Sequence, residues 1–338
     1  MNEIKVGVIG SGYWGPNLIR NFVEIPESEV VAVADLRDER LQHIKKRYPK
    51  INVTKNYQDL LKMGLDAVVV ATPPSSHHAI SREFLKGKMH VLVEKPITLN
   101  SQHAEELVEI ADQNGLTLMT GHTFEYNPAV LRLKEIIDSG ELGELIYTDS
   151  ARLNLGLFQP DLNVLWDLAP HDISILLFIL GRSPISATAI GKSSVIEGIH
   201  DVVYLNLTFP DNIMAHIHLS WLDPCKVRRV TVVGTKKMVV YNDIESLEKI
   251  KIYDKGVEKP AYTNTFDEFQ LNYRYGDILI PNINFKEPLR IECQHFLDSI
   301  KNHTRPRSCG RSGLRVIKVL EAIQHALENG GEHEIVLD

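Results

Sequence analysis

The sequence predicts an α/β protein with two sheets: a doubly wound parallel sheet first, then a large, mostly antiparallel one. Three observations carry this. In the first 120 residues, short β-rich runs alternate with helical patterns. A glycine-rich turn links the first such run to the first helix. After Gly121, strand-like runs follow one another without helices between them. Alternation of strand and helix requires crossovers, hence a parallel sheet buried on both faces. Consecutive strands can instead pair as antiparallel neighbours.

The early strands are expected at residues 4–9, 30–34, 67–71, 90–93 and 117–119. Ala104, Leu107, Val108 and Ala111 have the i, i+3, i+4, i+7 spacing of a helix face. Asn100 suits its N-cap and Gly115 its stop. Beyond Gly121 the pattern predicts a helix over 128–139 closed by Gly140, a strand over 145–153, and an irregular stretch to Asn163. A very apolar helix follows over 168–180, ended by Gly181. Strands are expected at 185–190, 202–209, 213–221, 227–233, 237–241 and 249–253. Residues 254–286 read as a long excursion, and helices over 288–301 and 313–329 close the chain. The expected division is a dinucleotide-binding domain over 1–122 and a substrate and oligomerisation domain over 123–338.

The 338 residues are 43% hydrophobic and 24% charged, ordinary globular values with ample material for a core. The net charge of −7 argues against nucleic acid or an anionic membrane as partner, since both need a basic face. Cys225, Cys293 and Cys309 fit neither a disulfide framework nor a zinc motif, which suggests a reducing compartment. The N-terminus has no signal-peptide pattern, and the most apolar run, residues 173–180, is too short to span a bilayer. The expectation is a soluble cytoplasmic protein, and the Asn-x-Thr triplets at Asn52, Asn206 and Asn302 are then chance matches.

Gly10-Ser11-Gly12-Tyr13-Trp14-Gly15 is a GxGxxG turn between a strand and a helix, with Asp35 ending the next strand 20 residues after Gly15. Gly10 permits the tight turn, Gly12 lets the backbone approach a pyrophosphate, and Gly15 lets helix and strand pack closely. The helix N-terminus offers its N–H groups and dipole to the phosphates. Asp35 can accept from both adenosine ribose hydroxyls and would repel a 2′-phosphate, which favours NAD; Arg37 keeps NADP open. Ligands in such sheets bind beyond the strands' carboxyl ends. Thr72 and Pro73, Glu94 and Lys95, and Gly121-His122-Thr123 should therefore line the same crevice as Gly10–Gly15, with Tyr13 and Trp14. His77 either reaches the cofactor, or caps or faces solvent at the start of a helix.

Trp166-Asp167-Leu168-Ala169-Pro170-His171-Asp172 opens the apolar helix. Proline is tolerated in a first turn, which puts Asp167 at or near the N-cap and His171 one turn later on the same side. The positive helix end would bias His171 towards a neutral imidazole, able to take a proton. Taken alone, Asp167 could be a simple cap, His171 a structural histidine and Glu94-Lys95 a surface ion pair.

The N-terminal GxGxxG, Ala71-Thr72-Pro73-Pro74, Glu94-Lys95-Pro96 and Asp167-x-x-x-His171, in this order, resemble the Gfo/Idh/MocA (glucose–fructose oxidoreductase/inositol dehydrogenase) family over essentially the whole chain. The resemblance implies a Rossmann domain, then an α/β domain whose open sheet forms a homodimer or homotetramer interface. It implies that Lys95, Asp167 and His171 line the substrate pocket, that the Lys95-Pro96 bond is cis, and that no metal takes part. The implied reaction is oxidation of a secondary alcohol: His171 as base, Lys95 donating to the same oxygen, Asp167 accepting from a neighbouring hydroxyl or orienting His171. Ala169 and the segment 163–166 depart from the family's usual glycines, and 121–128 from its usual asparagine and arginines. The Gly12–Asn17 and Trp166–Asp172 stretches resemble members of surface-sugar biosynthesis that oxidise nucleotide sugars such as UDP-N-acetylglucosamine or its uronic acid at C3. Arg152, Lys226, Arg228 and Arg229 are candidate cations for the diphosphate, or else a solvated strand edge, and Asn154 is a further substrate candidate. His216 and His218 share one strand face and lack an evident third metal ligand, which suits a polar interface patch better. Rival readings are an inositol or free-sugar dehydrogenase, a glycosidase or lyase with transient oxidation, and a non-catalytic dinucleotide sensor.

Overall fold

The computed structural model describes residues 3–158, 162–258 and 271–335. The chain forms two compact units, Met1–Tyr126 with Lys286–Lys318, and Asn127–Phe285 with Val319–Asp338.

The first unit runs β1 (Ile4–Ile9), α1 (Gly15–Glu24), β2 (Ser28–Ala34), α2 (Asp38–Arg47), β3 (Asn52–Thr54), β4 (Ala67–Val70), α3 (His77–Lys86), β5 (His90–Glu94), α4 (Ser101–Gln113) and β6 (Leu118–Gly121). The six strands are all parallel, in the order β3-β2-β1-β4-β5-β6. That is the doubly wound order whose switch point lies between β1 and β4. Every residue of β4 is buried, as a central strand covered on both faces requires. Asn100 caps α4 as expected, accepting from the His103 N–H at 2.8 Å.

The second unit holds α5 (Pro128–Asp138), β7 (Leu145–Leu155), α6 (Val164–Leu180), β8 (Ser186–Lys192), β9 (Val202–Thr208), β10 (Met214–Ser220), β11 (Leu222–Gly234), β12 (Met238–Asn242), β13 (Ile250–Glu258) and β14 (Asn272–Leu279). With β15 (Glu332–Glu334), after α7 (Pro288–Asn302) and α8 (Gly310–Asn329), they make a nine-stranded sheet, β14-β13-β12-β11-β7-β10-β9-β8-β15. Among the described residues of this sheet, only the β10–β7 pairing is parallel. No helix among the described residues is long and apolar enough to cross a membrane.

Several expectations need correction. Residues 286–318, assigned from sequence to the second domain, return to the first. The reason is apolar: Leu289, Cys293, Phe296, Leu297 and Ile300 of α7 join the core of Val6, Leu18, Ile19 and Phe22, with Phe22 and Phe296 edge to face at 6.4 Å. The excursion after 253 contains the end of β13 and all of β14. β14 is an edge strand with Tyr273 and Tyr275 exposed, so it lacks the alternation that marks a half-buried strand. Arg274 holds it through Asp254 (2.9 Å) and Glu258 (2.6 Å). The middle of that stretch, 259–270, lies outside the described residues. Finally, α6 begins four residues earlier than expected, capped by Asn163, whose side chain accepts the Trp166 N–H at 3.1 Å.

Candidate active site

The glycine turn of the first unit matches its motif physically. Gly10 has φ +93°, and a Cβ there would strike the Ala71 carbonyl. A Cβ on Gly15 would strike the Gly10 carbonyl, so α1 packs tightly on β1. Above Gly12 the nearest atoms are the Arg40 guanidinium, 3.4 Å from a Cβ position. Trp14 caps α1 without a side-chain bond, leaving this helix end to a ligand's phosphates. Tyr13 is 86% exposed and Trp14 42%, ring edge to face at 5.7 Å.

Asp35 is buried, and its carboxylate first serves the loop itself. It accepts the Ser11 N–H at 2.7 Å and the Arg37 N–H at 2.9 Å, and pairs with Arg40 at 3.3 Å. Ser11 Oγ is buried with no partner among the described residues. An orphaned hydroxyl beside an acidic ribose acceptor and an uncapped helix end fits a dinucleotide. Sequence reasoning overlooked Arg40. Its signal was a cation in the first turn of the helix after Asp35, next to the end that would separate NAD from NADP.

The β4, β5 and β6 ends carry the rest of this unit's set. Thr72 Oγ1 lies 2.7 Å from Ser76 Oγ, and Pro73 is exposed. His77 neither reaches outward nor caps α3. It is fully buried, with Nδ1 2.8 Å from the Pro96 carbonyl and Nε2 2.8 Å from the Thr72 carbonyl. Burial lowers its pKa, although both carbonyls favour the proton. It ties the Thr72 loop to the Lys95-Pro96 turn, and that bond is cis as expected.

Around Lys95 the unit buries more titratable groups than the sequence suggested. Glu94 accepts the Lys95 N–H at 3.3 Å, and desolvation pushes its pKa up to about 7. His122 is buried with neither ring nitrogen partnered among the described residues. Burial and then the Lys95 charge push its pKa down to about 3, so it is neutral. Glu292 of α7 accepts from Thr123 Oγ1 at 2.8 Å; burial, then the nearby Glu94, holds it well above the usual carboxylate range. Burial pushes Glu125 up to about 8 against the opposing Arg307 and Arg315. Glu292 was invisible from sequence because its helix lies about 170 residues from the segment it faces.

In the second unit, Asp167 and His171 stand four residues apart on α6 and so share a face. They are not at its start. Val164 is the first helical residue, which places Pro170 in the interior and His171 in the third turn. The expected N-cap role of Asp167 therefore belongs to Asn163, and the helix end is too far to bias His171. What fixes Asp167 is Trp221, fully buried, whose Nε1 donates to Asp167 Oδ2 at 3.0 Å. Trp221 follows β10 directly, and nothing in the sequence marked it beyond being a large aromatic at a strand end.

Arg152 is not the exposed cation expected for a diphosphate. It is buried, and its guanidinium meets Asp172 of α6 at 2.5 Å (Nε to Oδ2) and 3.4 Å (Nη2 to Oδ1), with Ser150 Oγ also donating to Asp172 at 2.7 Å. Asn154, two residues on, shares that face of β7 and is half-buried. Lys226 and Arg229 are exposed and Arg228 is half-buried. His218 stacks on Tyr204 at 4.2 Å, and His216 Nδ1 lies 2.9 Å from Asn206 Oδ1. Among the described residues no three His, Cys, Asp or Glu side chains stand together as metal ligands.

A doubly wound sheet with a glycine phosphate turn, followed by a unit presenting Asp/His on one helix face, defines a nicotinamide-dependent oxidoreductase. Residues 4–122 match the oxidoreductase family domain with an NAD-binding Rossmann fold, and residues 130–240 match the GFO/IDH/MocA C-terminal domain. The chain belongs to the Gfo/Idh/MocA family of oxidoreductases. It is 26% identical to the UDP-N-acetylglucosamine 3-dehydrogenase of Acidithiobacillus ferrooxidans over 97% of this chain and 98% of that one. The solved structure of that enzyme aligns with a TM-score of 0.80 over 98% and 99% of the two chains, at 24% identity, a likeness of fold. The chain is also 24% identical to the myo-inositol 2-dehydrogenase of Thermotoga maritima over 96% of each chain. It is 26% identical to a 2,7-anhydro-N-acetylneuraminate hydratase of Mediterraneibacter gnavus over 70% of this chain and 66% of that one.

Proposed function

We propose that this oxidoreductase oxidises a secondary hydroxyl of a sugar, with a nucleotide sugar such as UDP-N-acetylglucosamine or its uronic acid, at C3, as the substrate class. The observation that carries the reading is the Asp167/His171 face of α6, with Asp167 held by Trp221. When bound, NAD supplies the hydride acceptor. His171 takes the hydroxyl proton at a ring nitrogen, a role that needs the neutral imidazole. Lys95 donates to the same oxygen and stabilises the charge that grows there. Asp167, held at Oδ2 by the indole N–H, accepts from a neighbouring hydroxyl or orients His171. A carbohydrate suits the set because adjacent hydroxyls can engage three side chains. The full-length similarity to a UDP-N-acetylglucosamine 3-dehydrogenase supports the nucleotide-sugar reading, and that to an inositol dehydrogenase supports a polyol.

The test is absorbance at 340 nm with NAD or NADP against UDP-sugars, free sugars and inositols. Reduction of NAD by a UDP-sugar is expected. Activity on free polyols alone would overturn the nucleotide-sugar reading, and turnover of a glycoside without net reduction would favour transient oxidation. His171→Ala is expected to lower kcat by roughly 10²–10⁴-fold, the usual contribution of a positioned base, with NAD affinity unchanged. Unchanged kcat would remove His171 from the chemistry.

A further inference from the structure

The four cations that the sequence offered for an anionic substrate group do not stand alike. Arg152 is neutralised by Asp172, and Lys226 and Arg229 are exposed. Arg228 differs from all three. It pairs directly across from Arg152 in the β11–β7 register, so its side chain leaves the sheet on the face where Arg152 meets Asp172 of α6. It is half-buried, and its Nε is sealed from water with no hydrogen-bond partner among the described residues.

The neighbouring carboxylates are engaged by other donors. Asp172 holds Arg152 and Ser150. Asp243 accepts from Tyr241 Oη at 2.9 Å and Asn127 Nδ2 at 3.2 Å, and lies 3.8 Å from Lys249 Nζ. Arg228 meets Asp243 through the backbone, its carbonyl accepting the Asp243 N–H at 2.9 Å, and the charges of Asp243 and Asp172 favour its proton without a hydrogen bond to Nε among the described residues. Among the described residues both carboxylates are thus held by other donors, and Arg228 Nε is left without an acceptor. Burial, and then the charge of Arg152, both work against its proton. A half-buried, unpaired guanidinium is costly in the free protein, and positions of this kind are kept where function uses the charge.

We propose that Arg228 is a specificity-determining residue that receives an anionic group of the substrate, a sugar carboxylate or a phosphate of a nucleotide sugar. This deepens the reading of Asp167 and His171 as the hydroxyl-handling pair and rests on it. Asp172, which anchors Arg152 opposite Arg228, directly follows His171 on α6. A substrate with its reacting hydroxyl at His171 and its acid on Arg228 would be recognised at both ends. Arginine suits the task because its planar fork meets carboxylate or phosphate in two parallel bonds.

The experiment uses the full chain with Arg228→Met and Arg228→Lys. UDP-N-acetylglucosamine, its C6 uronate, free glucuronate and myo-inositol are each tested for turnover and for thermal stabilisation in the presence of NAD. Arg228→Met is expected to melt no lower than the parent without ligand, since it removes an unpaired half-buried charge. Its KM for anionic substrates should rise roughly 10- to 100-fold, kcat should change far less, and Arg228→Lys should recover part of the loss. Loss confined to the uronates would assign a carboxylate, and equal loss for both UDP-sugars a phosphate. If Arg228→Met melts lower while KM and ligand stabilisation match the parent, Arg228 is structural and the proposal falls. If the parent turns over none of the four compounds, the hydride reading fails, and ligand stabilisation still decides the role of Arg228.

Discussion

Trp221 donates its indole N–H to the Asp167 carboxylate in the second unit. An indole N–H is a donor only, so its bond to Asp167 leaves no ambiguity about which group accepts. Trp221→Phe keeps the ring and removes the donor. We expect kcat to fall about tenfold and stability to drop by about 1–3 kcal/mol, the cost of an unmet bond to a partly buried carboxylate. Steady-state kinetics and thermal melts check both, and unchanged kinetics would detach Asp167 from the chemistry. In the first unit, Glu125 sets a different expectation. Its folded pKa, about 8, lies above the usual carboxylate value, so the fold holds a proton that the unfolded chain has released. Stability from this group is therefore present at acid pH and is lost as pH rises from about 4.5 towards 8, by at most a few kcal/mol. Glu125→Gln should flatten that slope, stabilising at pH 8 and doing little at pH 5. A pH series of denaturant melts reads the difference, and parallel slopes would mean that Glu125 is already ionised in the fold.

At the scale of elements, α6 holds the clearest tension. Pro170 lies mid-helix, where it deletes the bond to the Trp166 carbonyl at a cost of about 3 kcal/mol. Pro170→Ala restores that bond and opens a small cavity, so we expect a net gain of about 1–2 kcal/mol. We also expect a lower kcat, since Pro170 lies between Asp167 and His171. A gain in melting temperature with unchanged kcat would show that the proline does not help align the pair. The same helix marks where sequence reading stopped. β1 was legible to the residue, and the glycine turn, the Asn100 cap and the parallel sheet followed from local rules, while the three-residue β3 gave no signal. Pro170 misplaced the start of α6, because the rule that puts proline in a first turn is local and burial overrode it. β14 was missed because its strand character comes from pairing with β13 rather than from burial. Among site residues, the motifs singled out Gly10–Gly15, Asp35, Lys95, Asp167 and His171 as candidates. The sequence could not show that Arg152 is bound to Asp172 or that His77 is buried between two carbonyls, since both depend on residues that only folding brings near.

At the scale of the molecule, the first unit is built from two separated stretches of chain. Residues 1–122 cover all six parallel strands yet lack α7, whose Phe296 packs on Phe22. A fragment of residues 1–122 should leave that apolar face open. We expect it to aggregate or to lose near-ultraviolet circular dichroism while keeping helical signal, and adding 286–318 through a flexible linker should restore a cooperative melt. A monomeric, cooperatively melting fragment would show that the returning helix is dispensable. The second unit, in turn, includes Val319–Asp338, reached only after that return.

This interleaving governs how the protein can be made. While the ribosome is still adding residues before 286, the coenzyme domain lacks a wall and its partner lacks its closing strand. Neither half is complete until the chain past 286 has emerged, and the first is finished only twenty residues before the second. A chain cut short before residue 286 would release two unfinished bodies rather than one sound one, leaving both to proteases.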